Sequence, residues 1–307
     1  MSTIKVVNLT KKYDYNYALN NLSFEVPSGS VCGFLGPNGA GKTTTMKLLM
    51  GLTTKDSGQI SILDKDVTYG EPLDDVRFLQ DVPTFYPYMT AYEYLDFICQ
   101  LNNIESPKKE KKINDILKLV GLSESRDKRI GKYSRGMKQR IGIAANIISN
   151  PKILLLDEPV SALDPIGRKE IFTLIDNLKK KMTIVFSTHI LDDIEKVCDR
   201  VIIINRGKKI IEGSIDEVKK KYLKNMIEVK FITKKDMLSF QKDFNIKDNT
   251  QYTIDSDNIT IKIINHDVNA IQQKIIGILN KNKMSVMSMK IITPTLEEIF
   301  MGEVVNK

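Results

Sequence analysis

The chain has no tryptophan, two histidines and three cysteines in 307 residues, and aromatic residues make up only 7% of it. The cysteines, Cys32, Cys99 and Cys198, are far apart and set in apolar surroundings. An odd number so placed argues against a disulfide framework or a thiolate metal site, and for reduced thiols in a cytoplasmic protein. No apolar run approaches the ~18–20 residues that cross a bilayer. The first residues, Met1-Ser2-Thr3-Ile4-Lys5, carry no hydrophobic signal core, so secretion is not expected. Work at a membrane would therefore go through a partner, without direct insertion. The formal charge of +8 could serve nucleic acid, but the lysines fall in short clusters at 108–112, 179–181 and 219–221. Such clusters read as solvated helix faces, and no nucleic-acid partner is expected.

What is present begins at residue 36. Gly36-Pro37-Asn38-Gly39-Ala40-Gly41-Lys42-Thr43-Thr44-Thr45 fits the pattern GxxxxGK[ST]. A strand-like stretch (30–35) leads into it and a helix-like stretch (43–50) follows. In that setting backbone N–H groups and a helix N-terminus converge on one point and favour anionic oxygens. Lys42 can then reach the β- and γ-phosphates of a nucleotide, and the Thr43 hydroxyl can ligate Mg²⁺.

The surrounding order is strand and helix in alternation. Strands are expected at 4–9, 22–26, 30–35 and 59–63, and helical patterns dominate 91–120 and 134–149. The apolar run 153–156 reads as a strand buried on both faces of a parallel sheet. Asp164-Pro165 opens the next helix, and strands at 183–187, 201–205 and 208–212 follow, with a helix at 190–198 between the first two. This predicts an α/β domain over 1–224 with a mostly parallel core sheet, an antiparallel β subdomain and a helical subdomain. From 225 to 307 the order becomes strand, helix, strand, strand, helix, strand. That is a small α+β domain of ferredoxin-like, split βαβ type. Thr295 and Glu298 form a capping box for a short terminal helix.

Ile153-Leu154-Leu155-Leu156-Asp157-Glu158 is a buried strand ending in two acids. Asp157 lies where open α/β sheets present ligand groups and can hold Mg²⁺ opposite Thr43. Glu158, next in line, is placed to orient or deprotonate an attacking water. The stretch Tyr133-Ser134-Arg135-Gly136-Met137-Lys138-Gln139-Arg140 then resembles the ABC ATPase signature, usually written LSGGQ. Ser134 can cap a helix and meet a phosphate, and Gly136 lets the backbone approach closely.

With that motif, residues 4–223 resemble the nucleotide-binding subunit of an ABC transporter. The resemblance implies ATP and Mg²⁺ as ligands, and a head-to-tail homodimer in which Ser134, Arg135, Gly136 and Met137 close over the nucleotide of the other copy. It also implies that Tyr13 stacks on adenine and that the Ser161-to-Asp164 loop connects the two composite sites. His189 matches the histidine that contacts the γ-phosphate and orders the catalytic water. His266 lies outside the motifs and reads as structural. The chain departs from the family wording at Tyr133, Arg135 and Met137. At the loop that usually carries a glutamine, Asp81 takes that place, with Gln80 one residue early; Asp81 can ligate Mg²⁺ but cannot donate as an amide does. The aromatic residues Phe85, Tyr86, Tyr88, Tyr92 and Tyr94 follow, in the region that receives a membrane subunit in the family. Packing within the helical subdomain is expected for Tyr92 and Tyr94.

The tail at 291–300 resembles the end of a small domain on bacterial exporter subunits, including bacitracin- and lantibiotic-resistance ATPases. The resemblance thus implies an ATP-hydrolysing export subunit, with Glu158, His189 and Lys42 carrying catalysis. It would work on the inner face of the cell membrane through a separate integral-membrane permease. The alternative is a soluble ABC ATPase acting as a dimerisation switch or on ribosomes or nucleic acid.

Overall fold

A computed structural model of the chain describes residues 2–104, 108–221, 226–244, 251–264 and 268–292. It opens with the long strands β1 (Ser2–Tyr13) and β2 (Asn16–Pro27), then β3 (Val31–Leu35), α1 (Lys42–Leu49), β4 (Ser57–Ile62), β5 (Lys65–Asp66) and β6 (Val76–Leu79). Next come the helices α2 (Ala91–Leu101), α3 (Lys108–Leu119) and α4 (Arg135–Ile147). They are followed by β7 (Ile153–Asp157), α5 (Pro165–Leu178), β8 (Thr183–Thr188), α6 (Leu191–Val197), β9 (Arg200–Asn205), β10 (Lys208–Ser214) and α7 (Ile215–Lys221). The last elements are β11 (Met226–Phe231), α8 (Lys234–Asp243), β12 (Gln251–Asp255), β13 (Thr260–Ile264), α9 (Val268–Lys281) and β14 (Val286–Ile292). The chain divides into two units, Met1–Ile215 and Asp216–Lys307.

In the first unit the apolar strands do what their composition dictates. Every residue of β3, β7 and β8 is buried, because both faces of their sheet are covered. The described strand order is β10-β9-β3-β8-β7-β6. All neighbours run parallel except β10, which returns antiparallel to β9. A second sheet, β2-β1-β4-β5, is antiparallel throughout. Ile4, Val6, Phe24, Ile60 and Ile62 from this sheet share one core with Met46, Leu48 and Leu49 of α1 and with Leu155, Val185 and Ile202 of the parallel sheet. The other face of the parallel sheet carries Phe186, whose ring meets that of Phe172 in α5 at 6.3 Å. Helix α1 is thus wedged against a continuous apolar floor, and the loop before it is held at the carboxyl edge of β3.

The strand β6 was not expected. It is the outer parallel strand beside β7, and its carboxyl end delivers Gln80 and Asp81 to the same edge. The helical pattern over 91–120 resolves into α2 and α3, interrupted near Asn103, which takes a left-handed φ of 53°. Thr90 caps α2 through a capping box with Glu93. Tyr94 meets Phe85 edge-on at 5.4 Å, and Tyr92 lies under the Arg126 guanidinium at 4.1 Å. Both pack as expected, whereas Tyr86 and Tyr88 stay 46% and 63% exposed.

The second unit builds a sheet in the order β12-β13-β11-β14 with antiparallel neighbours. That is the ferredoxin-like arrangement expected from the element order. Its core gathers Ile227, Val229, Phe231, Phe240, Ile261, Ile263 and Ile275. His266 and the expected helix after Thr295 lie outside the described residues. Among the described residues no helix is long and apolar enough to cross a membrane.

Candidate functional site

A cleft of about 520 Å³ opens at the carboxyl edge of the parallel sheet, lined by Asn38, Gly39, Gly41, Lys42, Thr43 and Thr44 from the phosphate loop and by Ala18, Asp81, Glu158, Ser161 and His189 around it. These residues come from five separate chain segments, so the cleft exists only in the folded unit.

The loop reaches its shape through close backbone contacts. Gly41 sits at φ 107° as it caps α1, and a Cβ there would lie 2.5 Å from the carbonyl oxygen of Ala18 in β2. From the other side Gly207, in the β9–β10 turn at φ 73°, would bring a Cβ within 2.7 Å of the same oxygen. Its N–H donates to Ala40 O at 3.0 Å and its carbonyl accepts from Asn20 N at 2.9 Å. Only residues without a Cβ allow three backbones to meet this closely.

Lys42 is buried, with 6% exposure. Its ammonium donates to Gly36 O at 2.8 Å and Pro37 O at 3.3 Å, and pairs with Glu158 Oε1 at 3.2 Å. The other oxygen of that carboxylate, Oε2, is 2.9 Å from Nδ1 of His189. Glu158 is therefore held between a fixed cation and an imidazole. Its backbone is strained into φ 47°, and its N–H donates to Ser187 Oγ at 2.9 Å. The Ser187 hydroxyl in turn donates to Asp157 Oδ1 at 2.6 Å. One buried serine thus sets the positions of both acids. Asp157 is 2% exposed and lies behind the cleft wall, while Thr43 is exposed on it.

Of the remaining expected residues only Asp81 lines this cleft; Arg135 reaches its rim through Ser161 and Asp81, and Ser134, Gly136, Met137 and Asp164 are not part of the lining. Ser134 caps α4, its hydroxyl accepting from Met137 N at 3.3 Å. Arg135 donates to Ser161 Oγ at 3.2 Å and lies 3.6 Å from Asp81 Oδ1. Ser161 donates to that same oxygen at 2.5 Å. Gln139, buried in α4, donates to the Asp81 carbonyl at 2.8 Å. Asp81 therefore joins the cleft, whereas Gln80 is exposed and turns to the Val82 carbonyl. Gly136 is open, the nearest atom to an added Cβ being Leu163 Cδ2 at 4.0 Å, and Met137 is half-buried. Asp164 caps α5 by accepting from Gly167 N at 2.8 Å. Tyr13 lies apart from the cleft lining, 48% exposed, with the Lys11 ammonium 5.1 Å from its ring centre. Ala18, Ser187 and Gln139 were missed as site residues, and their side chains announce nothing until the topology brings them together.

A family model described as ABC transporter matches residues 19–161. A second, described as the C-terminal domain of DrrA1-3-like ATP-binding proteins, matches residues 213–304. The bacitracin transport ATP-binding protein BcrA of Bacillus licheniformis is 37% identical over 305 residues, 98% of this chain and 97% of that protein. The chain belongs to the ABC transporter ATP-binding family. Another member, the ABC transporter ATP-binding protein YxlF of Bacillus subtilis (strain 168), is 44% identical over 226 residues, covering 73% of this chain and 75% of YxlF. Among solved structures, a nucleotide-free ATP-binding cassette of an ABC transporter aligns with a TM-score of 0.64 and 28% identity, over 72% of this chain and 94% of that one. The phosphate-loop residues, Asp81, Glu158 and Ser161 of the cleft all fall within the stretch that the ABC transporter model matches. The residues also fit a magnesium-bound triphosphate. Lys42 faces oxygen atoms, the Thr43 hydroxyl is open on the wall, and the first N–H groups of α1 lack intrahelical partners.

Proposed function

We propose that this chain hydrolyses ATP to drive export of a peptide antibiotic, drug or similar amphiphile through a separate integral-membrane permease. The observation that carries the reading is Glu158, fixed between Lys42 and His189 at the mouth of the phosphate loop. BcrA, similar over nearly the whole chain including the small domain, is named for bacitracin transport, which supports an exporter over a soluble switch. The division of labour we propose keeps residues 1–224 as the ATPase and 225–307 as the small accessory domain.

In this mechanism the triphosphate lies along residues 36–44, with Lys42 on its β- and γ-oxygens. Bound magnesium would neutralise phosphate charge, held by the Thr43 hydroxyl and, through water, by the Asp157 carboxylate behind the wall. Asp81 would join only by releasing Ser161 and Arg135. Once Lys42 turns to phosphate, the Glu158 carboxylate is free to accept a proton from water, and His189 keeps it aimed. Ser134, Arg135, Gly136 and Met137 face the nucleotide of a second copy, in a head-to-tail homodimer. Tyr13 stacks on adenine. Tyr86 and Tyr88, exposed beside the helical subdomain, meet the permease, which holds the subunit to the inner face of the membrane.

Glu158→Gln tests the core of this reading. The variant should bind ATP at least as well as the wild type, because Lys42 loses a competing carboxylate. It should form a dimer by light scattering and lose turnover by about 10²-fold or more. Wild-type turnover in this variant would remove Glu158 from its role.

A further inference from the structure

Asp193 is a fully buried carboxylate that the mechanism above leaves unused. It lies in the first turn of α6. One oxygen is bonded to the guanidinium of Arg168 in α5. The other receives the Thr188 hydroxyl at 3.4 Å. That same hydroxyl accepts the backbone N–H of Ile190 at 3.0 Å. The residues on either side of His189 are therefore tied together by one hydroxyl, and Asp193 aims it. The His189 side chain itself is 43% exposed, so packing alone does little to fix its ring. A buried acid left unpaired is costly. Arg168 removes that cost and allows a carboxylate to serve as an internal brace.

We infer that Asp193, neutralised by Arg168, is the positioning residue for His189: it stiffens the 188–190 turn so that Nδ1 stays within hydrogen-bond reach of Glu158. The inference rests on the reading of His189 as the ring that steadies Glu158. Neither Asp193 nor Arg168 lines the cleft, so both act through the turn. A displacement of about 1 Å at a reacting group can cost as much as a hundredfold in rate, which is the scale on which such a brace would be felt.

The test uses the full chain with Asp193→Asn, Asp193→Glu and Thr188→Val. Turnover and ATP affinity are measured, together with the imidazole ¹H–¹⁵N spectrum. Two histidines per chain make that spectrum simple, and a His266→Gln background leaves His189 alone in it. Asp193→Asn should lower kcat by roughly ten- to a hundredfold, leave ATP affinity within about twofold, and move the His189 ring signals. Asp193→Glu should recover part of the rate. If Asp193→Asn does not fold, Thr188→Val, which keeps the ion pair, carries the same expectation. Unmoved His189 signals, or a parallel loss of affinity and turnover, in a folded variant would overturn the inference. His189→Ala separates the two readings. Full turnover in that variant would remove the catalytic role of His189, while the ring spectrum would still decide whether Asp193 positions it.

Discussion

Lys42 and Glu158 form an ion pair 3.2 Å long between side chains only 6% and 13% exposed. Each is the other's main counter-charge, and a triphosphate entering the cleft competes with Glu158 for the lysine. In the mechanism we propose, binding and activation are one event: the phosphate that takes Lys42 releases the carboxylate.

Lys42→Met separates the two consequences. ATP affinity should fall by about ten- to a hundredfold, the scale of hydrogen bonds to charged groups. Without nucleotide the variant should also lose about 1–3 kcal/mol of stability, because Glu158 is left without its cation. Adding Glu158→Gln should restore the stability and not the affinity. Chemical denaturation and nucleotide titration of both variants check this; an unchanged apo stability in Lys42→Met would contradict it.

Gly41→Ala should destabilise the ATPase unit even without nucleotide. The residue is left-handed, and its new methyl group would meet the Ala18 carbonyl at 2.5 Å. Such strain costs on the order of 1–3 kcal/mol, or roughly 3–10 °C in Tm. Scanning calorimetry reads it directly, and a Tm equal to wild type would show that β2 moves aside at no cost.

Asp81 and Arg135 should couple weakly. Both are nearly half exposed and 3.6 Å apart, which limits the pair to about 0.2–1 kcal/mol. A double-mutant cycle with Asp81→Asn and Arg135→Gly, read by denaturant unfolding, should give that value at low salt and lose most of it near 1 M. A coupling that survives high salt would mean that Ser161 holds the rim together.

Alkaline pH should weaken the fold through a buried thiol. Burial pushes Cys32 from 9.0 up to about 12, so above pH 9 the unfolded chain releases a proton that the folded chain keeps. Stability should be insensitive to this group below about pH 9 and fall by about 1.4 kcal/mol per pH unit from there to about pH 12. Cys198, raised by the same burial, should add to the slope. Cys32→Ala should flatten it in urea titrations taken across that range, and an unchanged slope would clear the thiol.

Much of the fold was legible because its signals are local. The apolar run 153–156 requires burial on both faces, and Ser134 caps the helix that follows it. What stayed hidden depends on distant partners. Arg77 interrupts β6, which gains its identity only by lying beside β7. The left-handed backbone of Glu158 has no sequence mark, since glutamate rarely adopts it. Ser187 looks like any strand-end serine until Asp157 and Glu158 arrive beside it. The site motifs named the chemical groups, and the topology supplied their orientation.

The three-way approach of Ala18, Gly41 and Gly207 has a practical result for any shortened version of this protein. A fragment ending at residue 199 would retain every side chain around the nucleotide cleft, yet lack the hairpin that clasps Ala40 and Asn20. Its phosphate loop would lose the backbone bond that Gly207 gives to Ala40, and β2 the one that Asn20 gives to Gly207. A shortened version should therefore extend through the hairpin, well beyond His189, the last residue that lines the cleft.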